Sequence, residues 1–163
     1  MISRMSSAQL TDFTATLKSS APEYGVVLDQ RSLDGLSAYY QLLNIWNARL
    51  HLVAPTSPAE FATRHVLESL TLLQYLDDHA NVADVGSGGG LPILPCLIVR
   101  QHLWATLIES SQKKTIFLRE ALRETKTTDR ATVINERFEN VATPAVEYVT
   151  CRAIERFEEL IPQ

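Results

Sequence analysis

The sequence is poor in the features that would declare a secreted, membrane-spanning or metal-built protein. It has two cysteines in 163 residues, Cys96 and Cys151, too far apart for a CxxC pair, which leaves neither a zinc cage nor a disulfide framework. No apolar run approaches the roughly 20 residues that a bilayer-crossing helix needs, and the opening "MISRMSSAQL" lacks the unbroken apolar stretch of a signal peptide. A soluble chain in a reducing cytoplasm is the expectation. Positive charge is not in surplus either: the net charge of -4 argues against nonspecific coating of nucleic acid, while leaving room for a local basic patch. With 45% apolar content, 163 residues bury one main core, so one compact domain is expected.

What is present changes rhythm part-way along the chain. Residues 1–80 read as a helical region. Leu36, Tyr40, Leu43, Trp46 and Leu50 recur at steps of three and four, the spacing of an amphipathic helix with one stripe toward a core. On that stripe Tyr39, Tyr40 and Trp46 are expected as core, not as platforms for stacking bases. After Pro55, the order Ser57, Pro58, Glu60 supplies a cap, a first-turn proline and a capping-box acid, so a second helix is expected from there to about Asp77, burying Val66, Leu70 and Leu73.

Near His79 to Asn81 the period shortens. Residues 81–163 alternate short β-type runs, at Val82 to Val85, Trp104 to Ile108, Thr132 to Ile134 and Tyr148 to Thr150, with the helical segments "PCLIVRQ" and "QKKTIFLREALRE". Such alternation predicts βαβ units and a parallel, Rossmann-like α/β sheet. Phe117, Leu118, Ala121 and Leu122 are the expected packing face of the second helix. There is no internal repeat or low-complexity tract.

The sharpest local signal is "ADVGSGGGLPILP". A strand ending in Asp84, then Gly86, Gly88 and Gly90, then a helix, places a turn at the carboxyl edge of the sheet, where doubly wound folds bind ligands. Glycine permits positive φ and removes the Cβ, so main chain there can lie close to a ligand. Pro92 and Pro95 fit a helix only in or beside its first turn, which starts it close to residue 92. The dinucleotide pattern GxGxxG would need glycine at 91, where Leu91 stands, and no Gly-Lys-Ser/Thr of a P-loop occurs. The remaining DxGxGxG suits a cofactor without a pyrophosphate. Glu109, closing the second strand, is placed to accept hydrogen bonds from two ribose hydroxyls. Together these favour S-adenosylmethionine.

The ordered set "YYQLLNIWNARLHLV", "TRHVLESL", "ADVGSGGGLPILP", "LIESSQKKTIFL", "ERFE" and "YVTCRA", from about residue 36 to about 154, resembles the small-subunit ribosomal RNA guanine-N7 methyltransferase family, also called glucose-inhibited division protein B. That resemblance implies a class I methyltransferase sheet with an N-terminal helical extension and N7-methylation of a guanine in 16S ribosomal RNA. It puts cofactor contacts on Asp84, Gly86, Gly88, Gly90, Leu91, Glu109, Phe138, Glu139 and Arg152, and no metal. The partner implied is the small ribosomal subunit or its RNA. Methylation at N7 removes no proton beforehand, so the lack of a Ser/His/Asp or paired-carboxylate arrangement agrees with it.

For holding RNA the candidates are Lys113, Lys114, Arg137 and Arg152. The lysines sit in the first turn of their helix, the wrong end for cations with respect to the helix dipole; phosphate contact and a merely solvated helix end both remain open. Arg64 and His65 are expected to brace the helical half against the sheet. Ile93 stands where the family pattern has glycine and brings a β-branched residue to the turn. Cys151, Glu147 and His51 replace the pattern's serine, aspartate and asparagine. The chain reaches Gln163 where the family continues through the last strands of a seven-stranded sheet, so retained cofactor binding with weakened transfer is expected. The alternatives are a silent binder of RNA or of a protein partner, and a methyltransferase of similar fold acting on a small molecule.

Overall fold

The computed structural model describes residues 5–142 and 145–152. The first helix, α1 (Ser7–Ser20), falls in the region read as helical, but no spacing marks its bounds, because only Phe13 and Leu17 of it are buried and the amphipathic signal is thin. Its start is nonetheless defined by chemistry. The Ser6 hydroxyl accepts from the Gln9 N–H at 3.2 Å, and the Gln9 side chain accepts from the Ser6 N–H at 2.9 Å, a reciprocal capping box.

Helix α2 (Gln30–Leu50) is capped by Asp29, whose carboxylate accepts from the Ser32 N–H at 2.8 Å. It begins ahead of the Leu36 stripe and buries Leu33, Leu36, Tyr39, Tyr40 and Leu43. Phe13 and Phe61 stack on Tyr40, with ring centroids 4.2 and 4.7 Å away, and tie α1 and the next helical run to α2. Trp46 is half-buried and meets the edge of Phe117 at 6.1 Å.

The single helix expected from Ser57 to Asp77 is a composite. It opens as α3 (Pro58–Glu60), widens into a π-helix at Phe61–Leu67, returns as α4 (Glu68–Leu70) and ends as a 3₁₀ turn at Thr71–Gln74. Its sequence explains the widening. Phe61, Ala62, Val66 and Leu67 are all buried, and a five-residue repeat shares one face only when the turn follows i→i+5 bonding. Ser57 caps the run as expected, accepting from the Glu60 N–H at 3.1 Å.

The four strands are β1 (Asn81–Val85), β2 (Trp104–Ile108), β3 (Ala131–Ile134) and β4 (Tyr148–Cys151), all parallel, in the order β3-β2-β1-β4. Helices α5 (Ile93–Val99) and α6 (Gln112–Glu124) make the two crossovers. Both run in the same direction along the sheet, so right-handed connections place them on one face. Helix α2 packs over α5 and α6 from outside. The core therefore lies between Val82, Ala105 and Leu107 of the sheet and Leu94, Leu97, Phe117 and Leu118 of the crossovers, with the α2 stripe above.

The close approach of α2 to α5 depends on Gly35. A Cβ there would stand 2.7 Å from Cγ2 of Ile98, a β-branched side chain with little freedom to move aside. Gly35→Val is expected to lower the unfolding free energy by about 1–3 kcal/mol through overpacking. Urea unfolding with an unchanged m-value measures this.

Candidate cofactor site at the glycine turn

Strand β1 ends at Val85, and the chain then turns through Gly86, Gly88 and Gly90 with φ of 70°, 50° and 83°. At Gly90 any side chain is doubly excluded, since a Cβ would meet Leu94 at 2.6 Å besides requiring the left-handed conformation. Helix α5 starts at Ile93, with Pro92 at its cap and Pro95 in its first turn, where proline costs no hydrogen bond. The Leu94 N–H donates to the Gly90 carbonyl at 2.7 Å and joins turn to helix. Ile93, which stands where the family pattern has glycine, points into the core and is fully buried, so it crowds neither hollow described below.

A turn this poor in side chains is held by its neighbours. The Ile108 carbonyl accepts from the N–H groups of Gly86 and Ser87 at 2.9 and 3.2 Å, fastening the turn to the end of β2. Glu109, 7% exposed, accepts from the Gly88 N–H at 2.9 Å through Oε2 and from the Ser111 N–H at 2.8 Å through Oε1. Each carboxylate oxygen retains acceptor capacity for a ligand hydroxyl. From the other side, the Tyr39 hydroxyl donates to the Gly89 carbonyl at 2.6 Å. Sequence reading placed Tyr39 in the core correctly and missed this contact, which no spacing rule reveals.

Two hollows meet at Gly86. One, of about 260 Å³, is lined by Val85, Gly86, Ile108, Ser110, Glu136, Arg137, Phe138 and Glu139. The other, of about 380 Å³, is lined by Gly86, Ser87, Gly88, Gly89 and Leu91 together with Leu52, Val53, His65, Lys114 and Arg152. Larger hollows of about 600 and 630 Å³ lie at the opposite, amino end of the strands, where Arg31, Arg100 and Arg130 spend their guanidinium groups on main-chain carbonyls. Their size carries less weight than position: ligands of open parallel sheets bind at the carboxyl ends of strands.

The structure thus gathers most of the expected residues. Phe138, Glu139 and Arg137 share one hollow; Leu91, Lys114 and Arg152 share the other; Asp84, Gly90 and Glu109 lie beneath the turn; Lys113 is exposed at the start of α6, outside both. Leu52, Val53 and Gly89 went unnoticed as lining. The Asn47 side chain clasps Val53, donating to its carbonyl and accepting from its N–H at 3.0 Å each, and so shapes that wall. Arg64 is salt-bridged to Glu60 at 2.7 Å, on the helix surface. Arg152 donates to the Arg64 carbonyl at 3.3 Å and lies 3.2 Å from His65 Nδ1, so His65 braces the helical half against the end of β4 as expected, while the Arg64 side chain, spent on Glu60, does not. Burial, then the Arg152 and Arg64 charges, lower the His65 pKa and keep its ring a neutral acceptor for Arg152.

The family model for rRNA small subunit methyltransferase G (GidB) matches residues 32–163. The chain belongs to that family. A relative so named from Neisseria gonorrhoeae (strain NCCP11945) is 34% identical over 145 residues, 89% of this chain and 70% of that protein. Another from Xanthomonas axonopodis pv. citri (strain 306) is 40% identical over 151 residues, 86% of this chain and 70% of that protein. Among solved structures, the N-terminal domain of human METTL16 in complex with SAH aligns at 14% identity and a TM-score of 0.43, covering 86% of this chain and 64% of that one, and nothing about the site follows from a likeness that low. Enzymes of the rRNA small subunit methyltransferase G family draw their methyl group from S-adenosylmethionine. Among the described residues no group of histidine, cysteine and carboxylate side chains could hold a metal ion, and no helix is long and apolar enough to cross a membrane.

Asp84 tests whether this family's cofactor fits. Its carboxylate is wholly buried; Oδ1 accepts from the Thr150 hydroxyl at 2.8 Å across the β1–β4 pair, while Oδ2 has no partner. A buried acceptor without a donor is costly, and it suits a ligand that brings a cationic amine. Burial pushes the Asp84 pKa up to about 7, against the hydrogen bonds of Ser87 and Thr150 and with the help of the Glu109 charge. Unfolded, the same carboxyl titrates near 3.8. Between those values the folded chain holds a proton that the unfolded chain has lost, so stability falls as pH rises through that window and stays reduced above it. Asp84→Asn should therefore stabilise the fold at pH 8 by on the order of 2–4 kcal/mol, with the gain vanishing toward pH 4. Denaturant melts at the two pH values check this.

Proposed function

We propose that the chain transfers a methyl group from S-adenosylmethionine to N7 of a guanine in 16S ribosomal RNA, acting on the small ribosomal subunit in the cytoplasm. The observation that carries this reading is the side-chain-free turn held between Glu109 and Tyr39, with one hollow on each side, in a chain of this family. S-adenosylmethionine, when bound, supplies a sulfonium methyl to a nucleophile in line with the breaking bond.

In this reading Gly86, Gly88, Gly90 and Leu91 offer bare main chain to the cofactor, and Glu109 accepts from ribose hydroxyls. Phe138 and Glu139 flank the adenine side. The Arg152 guanidinium lines the hollow assigned to the amino-acid end and would meet its carboxylate, while the unpartnered Oδ2 of Asp84, buried beneath the turn, would suit an ammonium brought to that edge. Guanine N7 carries an available lone pair, so no side chain has to remove a proton, and placement supplies most of the acceleration. Lys113, Lys114, Arg137 and Arg152 give the acidic chain its local positive edge beside the turn, where phosphates of the folded RNA would be met.

Titration calorimetry with S-adenosylhomocysteine is expected to show one saturable site, weakened at least tenfold by Glu109→Ala, which removes a ribose acceptor and frees Gly88 together. Labelled methyl incorporated into small subunits, recovered as N7-methylguanosine, tests the reaction; saturable cofactor binding with no such product would reject the substrate assignment. Lys113→Glu, at an exposed position outside both hollows, should raise KM for the subunit and flatten its salt dependence while leaving the S-adenosylhomocysteine affinity near wild type.

A further inference from the structure

The hydroxyl of Tyr39 is the one polar group that α2 sends into the turn, and it has no role in the reaction proposed above. The ring is completely buried, 0% exposed, between Leu36 and Leu43 of its own stripe, with Phe61 at 6.4 Å. Its bond to the Gly89 carbonyl joins residues 50 apart in the chain. Burial pushes the phenol pKa above its ordinary value, so the group keeps the proton it donates.

We propose that Tyr39 is a positioning residue for the cofactor: by holding the Gly89 carbonyl it sets the peptide plane between Gly89 and Gly90, and with it the main-chain floor of the hollow that receives the amino-acid end. This rests on the methyltransferase reading above. Gly88 and Gly89 have no Cβ, so their torsions depend heavily on what their peptide groups bond to. Glu109 fixes the Gly88 N–H at 2.9 Å, the Ser87 carbonyl accepts from the Gly90 N–H at 2.6 Å, and Tyr39 fixes the carbonyl between them. Helix α2 adds a second strut. Asn47 clasps Val53, and Leu52 is thereby laid against Gly89, where its Cβ would be 3.5 Å from an added Cβ. The helical region preceding the sheet thus sets the shape of the turn directly, beyond packing behind it.

The decisive variant is Tyr39→Phe, which keeps the ring and deletes the donor. Calorimetry should show the Kd for S-adenosylhomocysteine raised about five- to tenfold, with KM for S-adenosylmethionine raised in parallel. KM for the small subunit and kcat at saturating cofactor should stay within about twofold. Amide exchange at Gly90 should quicken. Leu17→Ala, a core truncation in α1 remote from the turn, serves as the control: it should lower Tm by at least as much and leave the Kd unchanged. Unaltered affinity in Tyr39→Phe, or an equal loss in Leu17→Ala, overturns the proposal. Failure of the wild-type chain to bind S-adenosylhomocysteine is a different result, which overturns the methyltransferase reading and this inference with it.

Discussion

A turn made of glycine cannot hold its own shape, and the organisation of this protein around its carboxyl edge follows from that constraint. Gly86, Gly88, Gly89 and Gly90 give up side chains so that main chain can be reached from outside, and beyond the bond from the Gly90 N–H to the Ser87 carbonyl the restraints come from neighbouring elements. Strand β2 supplies the Ile108 carbonyl and Glu109; helix α2 supplies Tyr39 and, through Asn47 and Leu52, a wall. These contacts lie on opposite sides of the turn. The helical region and the sheet are thereby parts of one site, which agrees with a single core running from the α2 stripe through α5 and α6 to β1 and β2.

The cost of such a site is visible in Asp84. A buried carboxylate with one oxygen satisfied by Thr150 and the other unpartnered weakens the fold at neutral pH and above. Proteins keep groups of this kind where a ligand completes them, and strain tends to concentrate where function does. The pairing of Asp84 with Thr150 also couples the site to β4, so the register between β1 and β4 is specified by a polar contact as well as by the ladder.

Legibility in the sequence varied with how local the determinant was. All four strands and both crossover helices were recognisable, because alternation of short β-type runs with helical periods is written in adjacent residues. Helix α6 fell on the expected segment to the residue. The bounds of helix α1, inside the region read as helical, were not marked, since two buried side chains in fourteen residues make no stripe. The π-helix at Phe61–Leu67 was read as ordinary helix because the expected face, Val66, Leu70 and Leu73, keeps the usual steps of four and three. Around the turn, the candidates Asp84, the glycines and Glu109 could be picked out from their order along the chain, whereas Leu52, Val53 and the Tyr39 hydroxyl could not.

The amino-acid sequence by itself determined the alternating α/β order, the position of the turn between Asp84 and Pro92, and the acid that follows β2, since each depends on backbone torsions and periodicity within a few residues. Only the tertiary structure decided that Ile93 points into the core, that Asp84 keeps an oxygen without a donor, and that a phenol from α2 meets the carbonyl of Gly89. These depend on how helices settle against a sheet, a matter of close packing between segments far apart in the chain, and no local pattern encodes which side chain arrives at which peptide group.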